Sequence, residues 1–467
     1  MIYKNEAEIL NNNAVAEENG KIAIKDAKLF RDKTVNDLVD TIILGDDPHL
    51  RRLCFYVVYN AGLELGIIPS SIQGLYEARG KGKVAGFTVP AMNIRVLTFE
   101  LARAVFRAAK KINAGAFVFE IAKSEIGYTD QRPMEYTSII TLAAIKESFQ
   151  GPIFIQGDHF QVKAANYLKD KDAEINPLKD LINEAIDASF YNIDIDSSTL
   201  VDLSKETLDQ QQKLNYELCG QFTKFIRGLQ PEGIEISVGG EIGEVGGKNS
   251  TPDELNAFMQ GYLGEMGSEK GISKISIQTG TSHGGVVLPD GSIAKVSIDF
   301  DTLKNLSELA RKEYGMCGAV QHGASTLPNE AFHQFPGVGC AEIHLATQFQ
   351  NMVYDYMPLS LKEKIYAWLH EKCAGEKKEN WTDDQFIYKT RKKALGPFKR
   401  EIHSLSRETK AKISSVLEEE FSFLFDKLNI KDTKSAVTEH VKTVAVQKEK
   451  GDFLKEERDL GVLEGAD

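Results

Sequence analysis

Between about Gly82 and Tyr356 the chain alternates, with no long interruption, between short apolar runs and amphipathic helical patterns. The runs are Val84–Val89, Ala116–Ile121, Ile153–Gln156, Tyr191–Ile195, Ile234–Val238, Ile272–Gln278, Gly318–Gln321 and Cys340–Leu345. Between them apolar residues recur at helical spacing, as at Leu97, Leu101, Ala104, Val105 and Ala108, and again at Leu178, Leu181, Ile182, Ala185 and Ile186. Eight buried strands with intervening helices predict a (β/α)8 barrel of the TIM type, whose chemistry sits on the turns after the strands. A doubly wound open sheet is the alternative, but no Gly-x-Gly-x-x-Gly follows the first run.

Four of those turns carry groups that do chemistry. His159 stands in Gly157-Asp158-His159-Phe160, His283 in Gly280-Thr281-Ser282-His283-Gly284-Gly285, and His322 in Val320-Gln321-His322-Gly323-Ala324-Ser325. The glycine-rich turn from Gly239 to Gly247 contributes Glu241 and Glu244 instead, and could equally be a mobile flap carrying Glu244. Strand ends of one barrel converge on one face, so distant turns can share a site. Imidazole and carboxylate suit Zn²⁺ or another divalent transition metal, and an open coordination position would make such a site catalytic. One histidine beside a glycine would as readily be a strand cap; four such turns in register argue for a site. Asp158, next to His159, puts a carboxylate where it can transfer a proton on a carbonyl compound. Asp194 and Asp196 share a strand face, so alternation leaves both open, and Asp196 lies nearer the exit.

A chain of 467 residues that is 42% hydrophobic can bury a large core, and its net charge of −12 argues against a nucleic-acid surface. An anionic substrate would have to be held by local groups rather than by the overall field. Five scattered cysteines without paired spacing favour a reducing compartment. No secretion signal and no membrane-length apolar run is seen, so a cytoplasmic protein without a membrane partner is expected. Residues 1–80 read as a helical extension, 81–356 as the barrel, and 357–467 as a mainly helical, charged extension. The acidic and basic stretch from Gln447 onward reads as frayed or dependent on a partner.

Taken together, Asp158-His159, Ile195-Asp196-Ser197-Ser198, Glu241-Ile242-Gly243-Glu244-Val245-Gly246-Gly247, Gly280-Thr281-Ser282-His283-Gly284 and His322-Gly323-Ala324-Ser325 resemble the metal-dependent class II ketose-bisphosphate aldolases. The five motifs occur in that family's order over roughly residues 80–350. The resemblance implies His159, His283 and His322 as metal ligands, with Glu241 and Asp196 offering an alternate metal position. It implies Asp158 as the acid that protonates the aldehyde oxygen, with Glu244 as a second catalytic carboxylate. Asn93, Gly284, Gly323, Ser325, His344, Thr347 and Arg391 become the expected substrate- and phosphate-binding positions. The implied cofactor is Zn²⁺ or another divalent transition metal, with a monovalent cation as a further candidate. The implied partners are a phosphorylated sugar and further copies of the chain, as a dimer or larger homo-oligomer.

The implied reaction is reversible cleavage of a phosphorylated ketose between C3 and C4, by default fructose 1,6-bisphosphate to dihydroxyacetone phosphate and glyceraldehyde 3-phosphate. The chain departs from the family's pattern in places. Its eighth strand ends His344-Leu345-Ala346-Thr347 where the family has Asn-Ile-Asp-Thr, and Lys248-Asn249 replaces an acidic pair. Phe119-Glu120-Ile121-Ala122 and Gly157-Asp158-His159 also resemble the non-catalytic companion subunits of tagatose-bisphosphate aldolase, which keeps a stabilising-subunit role as the alternative. A metal-dependent barrel hydrolase is a weaker option, because its usual His-x-His is missing.

Overall fold

The computed structural model describes residues 1–18, 20–243, 248–280, 287–288, 298–461 and 463. Among them, eight parallel strands close into a barrel. They are β1 (Val89–Asn93), β2 (Val118–Ala122), β3 (Gly151–Gln161), β4 (Asn192–Asp196), β5 (Ser237–Glu241), β6 (Lys274–Ile277), β7 (Ala319–Gln321) and β8 (Glu342–Leu345). Each pairs with the next, β3 also pairs with β4, and β8 returns to β1 from Glu342↔Val89 to Leu345↔Met92. A short strand, Ile67–Pro69, adds to the first residues of β3 before β3 joins its barrel neighbours. This is the (β/α)8 barrel that the alternating pattern predicts.

Every residue of β1, β2, β4 and β5 is buried, which is why their sequences do not alternate between apolar and polar. The helices between strands coat the barrel. Thr98–Lys111 buries Phe99, Leu101, Val105 and Phe106, and Lys171–Asp187 buries Leu178, Leu181 and Ile182. Thr251 opens Pro252–Met266 with a capping box to Glu254, which satisfies end N–H groups and contributes about 1 kcal/mol.

Three strand boundaries differ from the sequence reading. The first strand is Val89–Asn93 rather than Val84–Val89, because Pro90 near its start is tolerated there, while the chain before it turns through Gly86 at φ +86°. The fifth runs from Ser237 to Glu241, through Gly239-Gly240, rather than ending at Val238. The third continues from Gly151 to Gln161, so Asp158 and His159 lie within a strand rather than in the turn after it.

The N-terminal segment is not purely helical. Helices Val35–Leu44 and Pro48–Glu64 are preceded by an antiparallel hairpin, Val15–Glu18 with Lys21–Ile24. The C-terminal segment packs on the barrel. Its long helix, Arg407–Lys427, lies against Thr98–Lys111, with the Phe425 ring 6.0 Å from that of Phe117 and Arg107 Nε donating to Glu418 at 2.5 Å. The described residues beyond Gln447 are anchored at two buried apolar side chains rather than frayed. Phe453 sits 5.8 and 5.5 Å from the rings of Tyr56 and Tyr59, and Leu460 is buried. A few apolar residues hold this stretch, and the charges around them mask it in a composition count.

Candidate active site

The site begins with a bulge in β3. Pairing with β4 slips between Gly157 and Phe160, and His159 takes a left-handed φ of +40°. Such a conformation costs a non-glycine residue roughly 1 kcal/mol or more, and surrounding contacts must impose it. A Cβ on Gly157 would lie 2.5 Å from the Phe160 ring, so only glycine fits there. The bulge turns the His159 ring inward. Its Nδ1 lies 3.1 Å from Asp196 Oδ2 and 3.4 Å from Glu241 Oε2.

His322, just past β7, meets His159 edge-on with ring centroids 4.3 Å apart and stacks on His344 at 4.2 Å. Ser276 Oγ lies 3.1 Å from His322 Nε2. One ligand atom from each of His159, Glu241 and His322 lies within 4.8 Å of the others, and the same holds for Asp158, His322 and His344. These are buried nitrogen and oxygen donors, a set that fits a divalent transition metal. Asp196 holds His159 from behind. Its Oδ1 accepts from the Ser198 N–H and hydroxyl at 3.1 and 2.7 Å, and Oδ2 accepts from Gln161 Nε2 at 2.5 Å. His283, Glu244 and Gly284 lie outside the described residues.

Asp158 is held at both oxygens. Oδ2 accepts from Asn93 Nδ2 at 3.0 Å, and Oδ1 lies 3.1 Å from His344 Nδ1. Burial alone would raise its pKa, but the charges of His159 and His344 outweigh it and hold the carboxyl well below the usual range. Burial likewise disfavours the charged form of His344, yet Glu120, Asp158 and Glu342 around it push its pKa well above the usual value. Both ring nitrogens of His344 face carboxylates, Nε2 lying 2.7 Å from Glu342 Oε1. The expected hydrogen bond from His344 to a substrate oxygen is therefore already taken by the protein.

Asp158, His159, His322 and His344 line a cavity of about 840 Å³, together with Asn93, Gly323, Ser325 and Thr347. Ser325 Oγ accepts from the Ala346 N–H at 2.7 Å, which fixes that corner at the end of β8. It is also lined by Lys163 and, from the C-terminal segment, by Trp381, Tyr388, Lys389 and Lys392. Burial and then the nearby Lys378 charge lower the pKa of Lys389. Arg391 does not line the cavity. Its guanidinium lies between the Tyr354 and Tyr388 rings, 4.9 and 4.6 Å from their centroids, and donates to Asn351 Oδ1 at 2.5 Å.

Sequence reasoning missed the layer beneath. Glu120 of β2, Asp194 of β4, Lys274 of β6 and Glu342 of β8 all point into the barrel, as their contacts across non-adjacent strands show. Such layers draw their side chains from alternate strands. Gly239 on β5 makes room for them, since a Cβ there would collide with the Asp194 carboxylate and lie 3.0 Å from Lys274 Cε. The available signal was one charged residue inside each of the even-numbered apolar runs, at the same face. Asp194 and Asp196 do both face inward, one meeting Lys274 on this layer and the other meeting His159 on the layer above.

The fold is that of a TIM barrel, and its strand ends carry a histidine–carboxylate centre. The chain matches the family model for fructose-bisphosphate aldolase class II over residues 76–424, and it belongs to that family. Among solved structures it resembles fructuronate-tagaturonate epimerase UxaE from Cohnella laeviribosi, with a TM-score of 0.53 at 12% identity, covering 74% of this chain and 82% of that one. It also matches the YdjI aldolase from Escherichia coli, with a TM-score of 0.47 at 13% identity over 78% of this chain and 98% of that one. A third match is the fructose-bisphosphate aldolase Fba from Campylobacter jejuni, with a TM-score of 0.46 at 18% identity over 79% and 96%. No curated protein sequence matches the chain. Among the described residues no helix is long and apolar enough to cross a membrane.

Proposed function

We propose that this chain is a divalent-metal-dependent aldolase that reversibly cleaves the C3–C4 bond of a phosphorylated ketose, with fructose 1,6-bisphosphate the first substrate to test. The observation that carries this is the placement of Asp158 beside the His159, Glu241 and His322 donors, with Asp158, His159 and His322 lining a cavity that lysines also line. His159 and His322 hold the metal with His283 as third ligand, and Glu241 and Asp196 offer an alternate position. A bound divalent ion supplies Lewis-acid stabilisation of negative charge on the substrate's carbonyl side, so no lysine need form a Schiff base.

The protein's own groups do the rest. Asp158, ionised at rest, accepts the C4 hydroxyl proton during cleavage and returns it to the aldehyde oxygen during synthesis. Asn93 and His344 fix its two oxygens. Backbone N–H groups at Gly323 and Ser325, with Gly284, bind one phosphate, and Lys163, Lys389 and Lys392 draw the anionic substrate inward. Glu244 acts as a second proton carrier from the glycine-rich turn.

The test is direct. The purified chain is incubated with fructose 1,6-bisphosphate or tagatose 1,6-bisphosphate, and release of dihydroxyacetone phosphate is followed before and after chelation. Cleavage that chelation stops and added Zn²⁺ or Co²⁺ restores is the expected result. Chelator-resistant cleavage that borohydride traps covalently would overturn it. The second reading, a non-catalytic stabilising subunit, is favoured by Ala346 standing where the family has a carboxylate and by Arg391 being packed away from the cavity. A metal-free, inactive chain that activates another aldolase would establish that role.

A further inference from the structure

Beneath the histidine–carboxylate layer, the ammonium of Lys274 on β6 is 1% exposed and reaches three other strands. It donates to Gln156 Oε1 of β3 at 2.8 Å, to Glu342 Oε1 of β8, and lies 2.9 Å from Asp194 Oδ2 of β4. Two of the ammonium's three N–H donors are thus engaged in hydrogen bonds, and Asp194 faces it as an ion pair across the barrel. Glu342 is in turn gripped from several sides. Besides Lys274 it receives Gln156 Nε2 at 2.9 Å and the Tyr76 hydroxyl, and His344 Nε2 stands 2.7 Å from Oε1. With Nε2 fixed on Glu342, the other edge of the His344 ring faces Asp158 Oδ1 at 3.1 Å.

We propose that Lys274 is a positioning residue for the aldol chemistry: it pins Glu342, Glu342 pins His344, and His344 holds the Asp158 carboxylate in its working orientation. Asn93 grips only Oδ2, and a carboxylate held at one oxygen is free to swing about its own bond. Without the Lys274 ammonium, Glu342 and Asp194 would share the barrel axis with no lysine between them, and Glu342 would lose one of the contacts that fix where it meets His344. The arrangement is built into the backbone as well, because Gly239 is the one residue type that leaves space for it. This role rests on Asp158 being the acid–base group.

Lys274→Met and the double variant Lys274→Met/Glu342→Gln, which removes one charge of each sign, separate positioning from mere charge balance. Rate on fructose 1,6-bisphosphate, bound zinc and melting temperature are measured for the full chain. Lys274→Met is expected to lower kcat about 10- to 100-fold with KM nearly unchanged, as losses of supporting contacts do. The double variant is expected to recover melting temperature and zinc but not kcat. Recovery of kcat along with stability, or wild-type kcat in both variants, would overturn the proposal. Should neither variant fold, Tyr76→Phe removes only the hydroxyl on Glu342 Oε2. A lowered kcat at unchanged KM then supports the role, and an unchanged kcat sinks it. Asp158→Asn at wild-type rate would defeat the assignment of Asp158 itself. Fast Lys274 variants beside a slow Asp158→Asn defeat only the positioning role.

Discussion

His344 Nδ1, on the last strand of the barrel, lies 3.1 Å from Asp158 Oδ1 on the third. The contact ties the histidine–carboxylate layer of the barrel to the ionic layer below it, since the same ring meets Glu342 through Nε2. A neutral amide could orient Asp158, but it would not carry charge between three carboxylates.

Asp158→Asn is expected to keep its bound metal and lose most turnover, by roughly the 10²–10⁴ typical of an acid–base group. Metal analysis beside steady-state kinetics checks this. Equal loss of metal and rate would make Asp158 a support for His159 instead.

His159→Ala and His322→Ala are each expected to lower metal content and rate together. Elemental analysis of each purified variant reports the first quantity and the coupled assay the second. A variant that kept full metal occupancy would remove that histidine from the ligand set.

Lys274 is buried, and although burial disfavours its charge, Asp194 and Glu342 push its pKa up instead. A permanently protonated amine is not a nucleophile. Borohydride added with substrate should therefore leave the chain's mass unchanged, and a mass increase at Lys274 would show a covalent mechanism.

Gly239→Ala is expected to destabilise the barrel by about 1–3 kcal/mol, because the added methyl group collides with the Asp194–Lys274 pair. Denaturant unfolding measures it, and a stability equal to wild type would mean that the pair can shift aside.

The C-terminal tail makes a pH prediction. Lys448 donates to the Asp187 carbonyl at 2.6 Å and to Ser189 Oγ at 2.7 Å, yet burial lowers its pKa from 10.5 to about 8. Between those values the unfolded chain holds a proton that the folded one has released, so stability rises with pH across that window. At neutral pH the charged amine costs about 3 kcal/mol, the free-energy equivalent of that difference. Lys448→Met should raise the melting temperature at pH 7 and abolish the gain between pH 8 and 10.5. An unaltered pH profile would locate the effect elsewhere.

Much of this was legible in the sequence because its signals are local. Continuous apolar runs of strand length, separated by helical spacing, already specify a barrel. Asp158, His159, Glu241 and His322 stand out because each sits in its own short local motif, whatever lies across the ring. The tertiary structure alone decided what those neighbours are. Asp194 and Asp196 look alike in sequence, yet one meets Lys274 and the other His159, through partners 80 residues downstream and 37 upstream. Pro90 and Gly239 follow directly on the runs read as ending at Val89 and Val238, yet both lie inside strands, one tolerated near a strand start and the other making space for a buried ion pair. Nor did composition show that Phe453 would anchor a charged tail, since a few apolar contacts outweigh many solvated charges. A closed barrel brings residues of alternate strands together at its axis, and no pattern confined to one segment records which side chains will meet there.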